Sequence, residues 1–362
     1  MLSSRKKISI RQAAILFLMF VYSAAIRIFP SYAAKTAGRA GWLSPVAAIL
    51  PFICLVIIVQ ALFKDDRDAN LSDIIRKYLG KIFGSAVIAL YLLWMLVIVG
   101  ILTRNFAERF LSSLLPNTPM NFFTVTILII VYFTLRNGII YISRTAEFLF
   151  LILSLIFVVL FVLTTPNFEV INLFPVTYHD ALPLIKSSYS NFGIWSIFTF
   201  VFFFGDKIND KEHIKRYGLQ SLAYLVIMTM MLLIQTIGVY GYSVIERVPM
   251  AYAFVVKSIS VLETIERIES IAVVSWVIAD FIAISVVFYI IVSIIKSLFS
   301  LSDAKPFISP VTVFAFIFSL YIAQNKFELE SFTNYISLPI NITLGFIIPL
   351  ITLIIKSVRR TA

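Results

Sequence analysis

The stretch RQAAILFLMFVYSAAIRIFPSYAA, residues 11–34, decides the fold. It is apolar for about twenty residues, enough at about 1.5 Å per residue to cross the roughly 30 Å core of a bilayer. Nine further runs of the same kind follow, at 42–63, 84–113, 120–136, 141–165, 182–205, 217–243, 269–298, 307–324 and 332–356. Ten membrane-spanning helices are expected, numbered here spans 1–10. The composition agrees, with 60% apolar and 14% charged residues against about 25% charged in a soluble domain. That balance excludes a soluble enzyme, a disordered chain and a secreted disulfide scaffold.

Basic residues 5–7 ahead of span 1 superficially suggest a signal peptide. No convincing cleavage site follows and nine more spans do, so span 1 is expected to be uncleaved. The net charge of +11 is spread between the apolar runs, which argues for topology and against a nucleic-acid partner. Counted in alternate segments, 20 of the 30 Lys and Arg fall on the side of the N-terminus and seven on the other. Arg27, Arg104 and Arg109 lie within spans. By the positive-inside rule both termini are expected in the cytoplasm. Cys54 is the one cysteine, and His179 and His213 stand far apart, so neither a disulfide nor a zinc site is expected. No catalytic constellation, cofactor motif or phosphate-binding loop is present, so no enzyme is expected.

The polar stretches are short. Asn70, Leu71 and Ser72 are expected to start a small interfacial helix, and Pro166 and Pro249 mark irregular segments. The chain reads as one transmembrane domain, 1–362. Ten spans divide into five and five, 11–165 and 182–356, and an odd number per half forces the halves into opposite orientation, as in inverted-repeat transporters. Such folds break the first helix of each half.

The places for such breaks carry the candidate chemistry. Ser23, Ala24 and Ala25, followed by Ile26 and Arg27 and then by Pro30, permit an interruption of span 1 whose freed amides attract a carboxylate. A continuous helix with a proline kink is the competing reading. Arg27 is expected to contact ligand or ion, or else to snorkel or pair structurally. In span 6 the polar cluster at 188–193, with Asn191, Phe192 and Gly193, matches the second break or else an outer loop. Arg104 and Glu108 share one helix face at i,i+4, and Arg104 lies at the depth of Asp280, so an Arg104–Asp280 pair is expected. Glu147 is either a proton or cation site or a partner of Arg144.

Several motifs together resemble one family. Leu115-Pro116-Asn117-Thr118-Pro119 is similar to the L-P-N-T-P that follows the third span of spore germination permeases, the B subunits of GerA-type nutrient receptors. Arg104-Asn105-Phe106-Ala107-Glu108 resembles its R-x-F-x-E, Arg136-Asn137-Gly138 its R-x-G, and Arg144-Thr145-Ala146-Glu147 its A-R-x-A-E. Asn172-Leu173-Phe174-Pro175 resembles N-L-L-P, and Glu266-Arg267-Ile268-Glu269-Ser270 with Trp276 resembles E-R-x-E-S…W. The first span departs, with Ser23 and Ala25 where the family has glycines.

The resemblance implies the amino acid–polyamine–organocation transporter superfamily and its LeuT-like fold: all-α, ten spans, five plus five, helices 1 and 6 broken. It implies nutrient sensing in the spore inner membrane beside an A-type membrane subunit and a lipoprotein C subunit. A small nutrient, typically an amino acid, would bind at mid-membrane between the two breaks. Spans 3 and 8 would form the walls, with Met95 and Phe192 bounding an apolar side chain. A stand-alone proton- or sodium-coupled amino-acid transporter and a purely structural subunit are the alternatives.

Overall fold

The computed structural model describes residues 7–113, 115–248, 250–258 and 269–361. Arg5, Lys6, Pro249 and the Glu266, Arg267 and Ile268 of the last motif lie outside these. Among the described residues the chain is helical almost throughout, and its β contact is an isolated parallel bridge between Ile8 and Ile208.

Among the described residues seven helices are long and apolar enough to cross a membrane. The first, Ile10–Phe63, contains two of the expected spans. Span 1 is the α-helix Ile10–Ala37, the 3₁₀ turn Gly38–Leu43 folds the chain back, and span 2 continues as Ile49–Phe63. The turn depends on close approach: a Cβ on Gly41 would lie 2.8 Å from the carbonyl oxygen of Ala33. Lys7, ahead of span 1, thereby meets Asp68, beyond span 2, at 2.9 Å.

Spans 3, 4 and 5 are Lys81–Ser113, Met120–Asn137 and Ile139–Thr164. Span 6 is α-helical over Ala181–Trp195 and 3₁₀ over Ser196–Lys207. Spans 7, 8 and 9 are Ile214–Tyr240, Glu269–Leu298 and the shorter Ile308–Tyr321. Span 10 runs from Lys326 to Thr361, with π-helical turns at Thr333–Ser337 and Thr343–Ile347. The ten expected spans thus each have a helical counterpart.

Local chemistry explains the boundaries. Ser9 and Gln12 form a capping box at the start of span 1. The short helix Leu71–Leu79 begins as expected, with Asn70 and Asp73 as a second capping box, and buries Leu71, Ile74 and Ile75. Gly80 (φ +87°) and Gly138 (φ +86°) end their helices in backbone that side chains disfavour, which explains the glycine of the Arg136-Asn137-Gly138 motif.

Span 1 is not broken at residues 23–26: the α-helix continues from Ile10 to Ala37. Alanines are the best helix formers and replace the glycine that would favour unwinding. Pro30 is accommodated inside the helix. Span 6 is likewise unbroken at 188–193, which lie within the α-helix Ala181–Trp195; its winding changes beyond them, to 3₁₀ from Ser196 with a non-helical Phe204 (φ −107°, ψ 30°).

Span 1 packs against spans 5, 6, 7 and 8, and span 3 packs against spans 8 and 9. Span 8 is central, with 78% of its apolar window buried, whereas the corresponding window of span 5 is 22% buried and faces outward. The Phe-rich 3₁₀ stretch of span 6 joins the layers. Residues three apart eclipse in such a helix, so Phe200 and Phe203 both meet Tyr91 of span 3, at 5.7 and 4.9 Å between ring centroids. On another face Thr199 donates to the Gly345 carbonyl at 2.7 Å, beside Ser196. Tyr91 donates to the Leu344 carbonyl. The second π turn of span 10 therefore offers two successive carbonyls to spans 3 and 6.

Candidate functional site

Three cavities lie at successive levels of the bundle, the middle one enclosed by spans 1, 3, 6 and 8. At the end of the bundle where span 1 begins is a vestibule of about 400 Å³, with Phe203 and Tyr289 in its lining. The middle layer is apolar and nearly closed, a void of about 10 Å³ among Phe17, Phe20, Met95, Ile98, Ile197, Phe200, Val201, Val286, Val287 and Ile290. Such a volume admits one water at most and offers it no polar partner. Met95, expected to bound a ligand's apolar side chain, stands in this layer.

The third layer, toward the far end, is charged. Asp280 of span 8 pairs with Arg109 of span 3 at 3.1 Å, with side chains 3% and 7% exposed. The Ser23 hydroxyl of span 1 donates to Asp280, and Arg109 donates to the Ser23 carbonyl at 3.2 Å. Ser23 is therefore the point at which span 1 is tied to spans 3 and 8. This corrects the expected Arg104–Asp280 pair. Arg104 is held by Glu108 at 2.8 Å and donates to the Leu320 carbonyl of span 9. Five residues along an α-helix turn the side chain by about 140°, so Arg104 looks to span 9 while Arg109 looks into the bundle.

Next to this tie lies a second void of about 10 Å³, lined by Ile26, Arg27, Arg109, Met250, Ala253 and Trp276. Arg27 Nη1 and Trp276 Nε1 are both enclosed and, among the described residues, have no acceptor. Two buried donors left unmade on residues that border one void in a low-dielectric layer are costly, and a carboxylate is the group that satisfies such donors. Ala24 and Ala25 are buried in the continuous helix beneath.

The span 6 candidates point elsewhere. Asn191 donates to the Ser44 hydroxyl at the head of span 2 (3.0 Å). Phe192 lies edge-on to Phe346 (5.3 Å), and a Cβ on Gly193 would meet Leu338 at 2.8 Å. These three join span 6 to spans 2 and 10. Glu147 does not pair with Arg144. It binds Arg11 at 3.1 Å and accepts from Gln12 at 3.1 Å, which anchors the base of span 1 to span 5.

Other motif residues are ties as well. Asn172 donates to the Gly238 carbonyl at 3.0 Å, and the carbonyls of Leu173 and Phe174 accept from Trp42 and Arg39. The 5–6 connection is thereby fastened to span 7 and to the 1–2 turn. Sequence reading missed the role of Arg109, although an arginine inside a span was itself the signal. It also missed the buried Lys356, whose ammonium group donates to the Ala61 and Leu62 carbonyls at 2.9 and 3.0 Å. Among the described residues no cluster of metal-ligating side chains is present.

The comparisons agree with this architecture. Mhp1, a nucleobase-cation-symport-1 family transporter solved closed with bromovinylhydantoin bound, matches with a TM-score of 0.69 at 16% identity. The match covers 95% of this chain and 78% of that one, and shows a shared fold. Spore germination protein KB of Bacillus subtilis (strain 168) is 23% identical over 98% of this chain and 97% of its own length. Spore germination protein A2 of the same strain is 24% identical over 88% and 87%, and spore germination protein XB of Bacillus anthracis is 23% identical over 72% of each. The spore germination protein family model, finally, matches residues 7–327, nearly the full set of spans described above, and the chain belongs to that family.

Proposed function

We propose that this multi-pass membrane protein is the transporter-like B subunit of a nutrient germinant receptor. It binds a small amino acid at mid-membrane and triggers germination together with an A-type membrane subunit and a lipoprotein C subunit. Family membership and a transporter fold, rather than an enzyme fold, support this reading. Its seat is the spore inner membrane, with both termini cytoplasmic and with 11–165 and 182–356 as inverted repeats. The observation that carries the ligand class is the pair of orphaned donors, Arg27 Nη1 and Trp276 Nε1, on one void.

A ligand carboxylate is received by these donors, and an apolar side chain extends into the Phe20–Met95–Ile98 layer when the spans part. Both voids are water-sized here, so binding requires movement. That requirement suits a receptor in which occupancy is coupled to a conformational change. A stand-alone amino-acid symporter is the second reading, favoured by the broad vestibule at one end and the sealed layer above it.

Spores carrying Arg27→Gln or Trp276→Phe should need at least tenfold more germinant while the protein reaches normal levels in the membrane. Unchanged sensitivity in both variants would remove the carboxylate cradle. Proteoliposome uptake separates the two readings, because coupled accumulation by the lone chain favours the symporter, and binding without accumulation favours the receptor.

A further inference from the structure

The vestibule at the N-terminal end has no part in the cradle near Arg27, from which the apolar layer separates it. Its walls are the last turn of span 6, the end of span 8, the 8–9 connection and the short helix Leu71–Leu79. At about 400 Å³ it falls in the size range of small-molecule sites.

Its acidic side chains are each committed to a neighbour. Asp73 accepts from the Asn70 amide at 3.2 Å, Asp206 pairs with Lys207 at 3.3 Å, and Asp303 accepts from the Lys305 amide at 3.0 Å. Arg76 is committed too. It donates to the carbonyls of Ser297 and Leu298, at 2.8 and 3.1 Å, and to the Ser85 hydroxyl.

What remains is one-sided. Lys296 and Lys305 both line the cavity, and among the described residues no hydrogen bond or ion pair holds either ammonium group. A lysine in the last turn of a helix ordinarily complements the carbonyls there. In span 8 Arg76 already satisfies those carbonyls, which leaves Lys296 available. Two uncommitted ammonium groups on one recess, beside aspartates already engaged by neighbours, are the chemistry of an oxyanion site.

We propose that this vestibule is a second ligand site, which takes a small carboxylate or phosphate anion between Lys296 and Lys305. The anion acts at the opposite end of the bundle from the nutrient and bridges span 8 to the 8–9 connection.

Calorimetric titration of the full-length protein in neutral detergent, with inorganic phosphate and with citrate, tests the site. Ionic strength is held constant with sodium chloride. Saturable binding of at least one anion is expected, weakened at least tenfold in Lys296→Gln/Lys305→Gln and unchanged in the control Lys64→Gln. Lys296→Arg/Lys305→Arg should retain it, which guards against a folding defect in the glutamine variant. No saturable heat with either anion, or full affinity in the glutamine variant, overturns the proposal.

Nanodiscs identify the source of the anion. Phosphate binding that persists in discs containing phosphatidylglycerol marks a soluble anion. Binding lost there but present in discs of neutral lipid marks a lipid headgroup as the occupant. Arg27 takes no part in any arm, so failure here leaves the nutrient site standing.

Discussion

Asp280 and Arg109 show why a single buried charge is decisive. Removing one partner leaves the other uncompensated among apolar side chains, at a cost of about 3–5 kcal/mol. Asp280→Ala and Arg109→Ala should each lower the thermal unfolding midpoint of detergent-solubilised protein steeply. Their double variant should recover part of the loss. Arg104→Ala combined with Asp280→Ala should instead be close to additive, because Arg104 is committed to Glu108 and Leu320. Coupling between Arg104 and Asp280, with none between Arg109 and Asp280, would contradict the geometry. At this scale the sequence revealed that intramembrane charges must be paired. It did not reveal which ones, since partner choice depends on the rotation of span 3 about its axis. Equal depth made Arg104 and Asp280 look like partners, and five residues of helical phase assigned Asp280 to Arg109 instead.

Spans 6 and 10 carry the unusual windings. Gly345 sits where a Cβ would be 2.4 Å from the Ser196 carbonyl oxygen, a backbone atom that cannot step aside. Gly345→Val should therefore cost at least about 3 kcal/mol, the upper end of overpacking penalties. Gly80→Ala, with open space around it but φ +87°, should cost only about 1–2 kcal/mol from backbone geometry. The two can be compared in one chemical unfolding series. Equal costs would mean that span 10 does not approach span 6 so closely. The existence and order of the spans were legible because a run of apolar residues has no other use at that length. Their winding was not. The choice between i→i+3 and i→i+4 hydrogen bonds along Ser196–Lys207 depends on Tyr91 and Gly345, which are far away in sequence. The same limit applied to span 1, where Pro30 drew attention but the alanines beside it favour a continuous helix.

The whole molecule is asymmetric from end to end, with a wide polar recess at one end and paired charges across the other. If the recess faces the cytoplasm, as the distribution of Lys and Arg implies, a reporter fused after Lys211 should read cytoplasmic. One fused within residues 245–258 should read external, and the reverse pattern would sink the assigned orientation. The first residues of the described chain add a mechanical link to this arrangement. Ile8 bonds to the Lys207 carbonyl and the Asn209 amide, both at 2.8 Å, and Lys7 grips Asp68, whose carboxyl it holds below the usual range. The stretch entering span 1 is thus laced to the last turn of span 6, which is itself a wall of the recess. Whatever widens or narrows that wall must move Lys7 and Ile8 with it. Lys7 and Ile8 are in effect a handle on the recess, where a neighbouring protein that pulls on them would be felt inside.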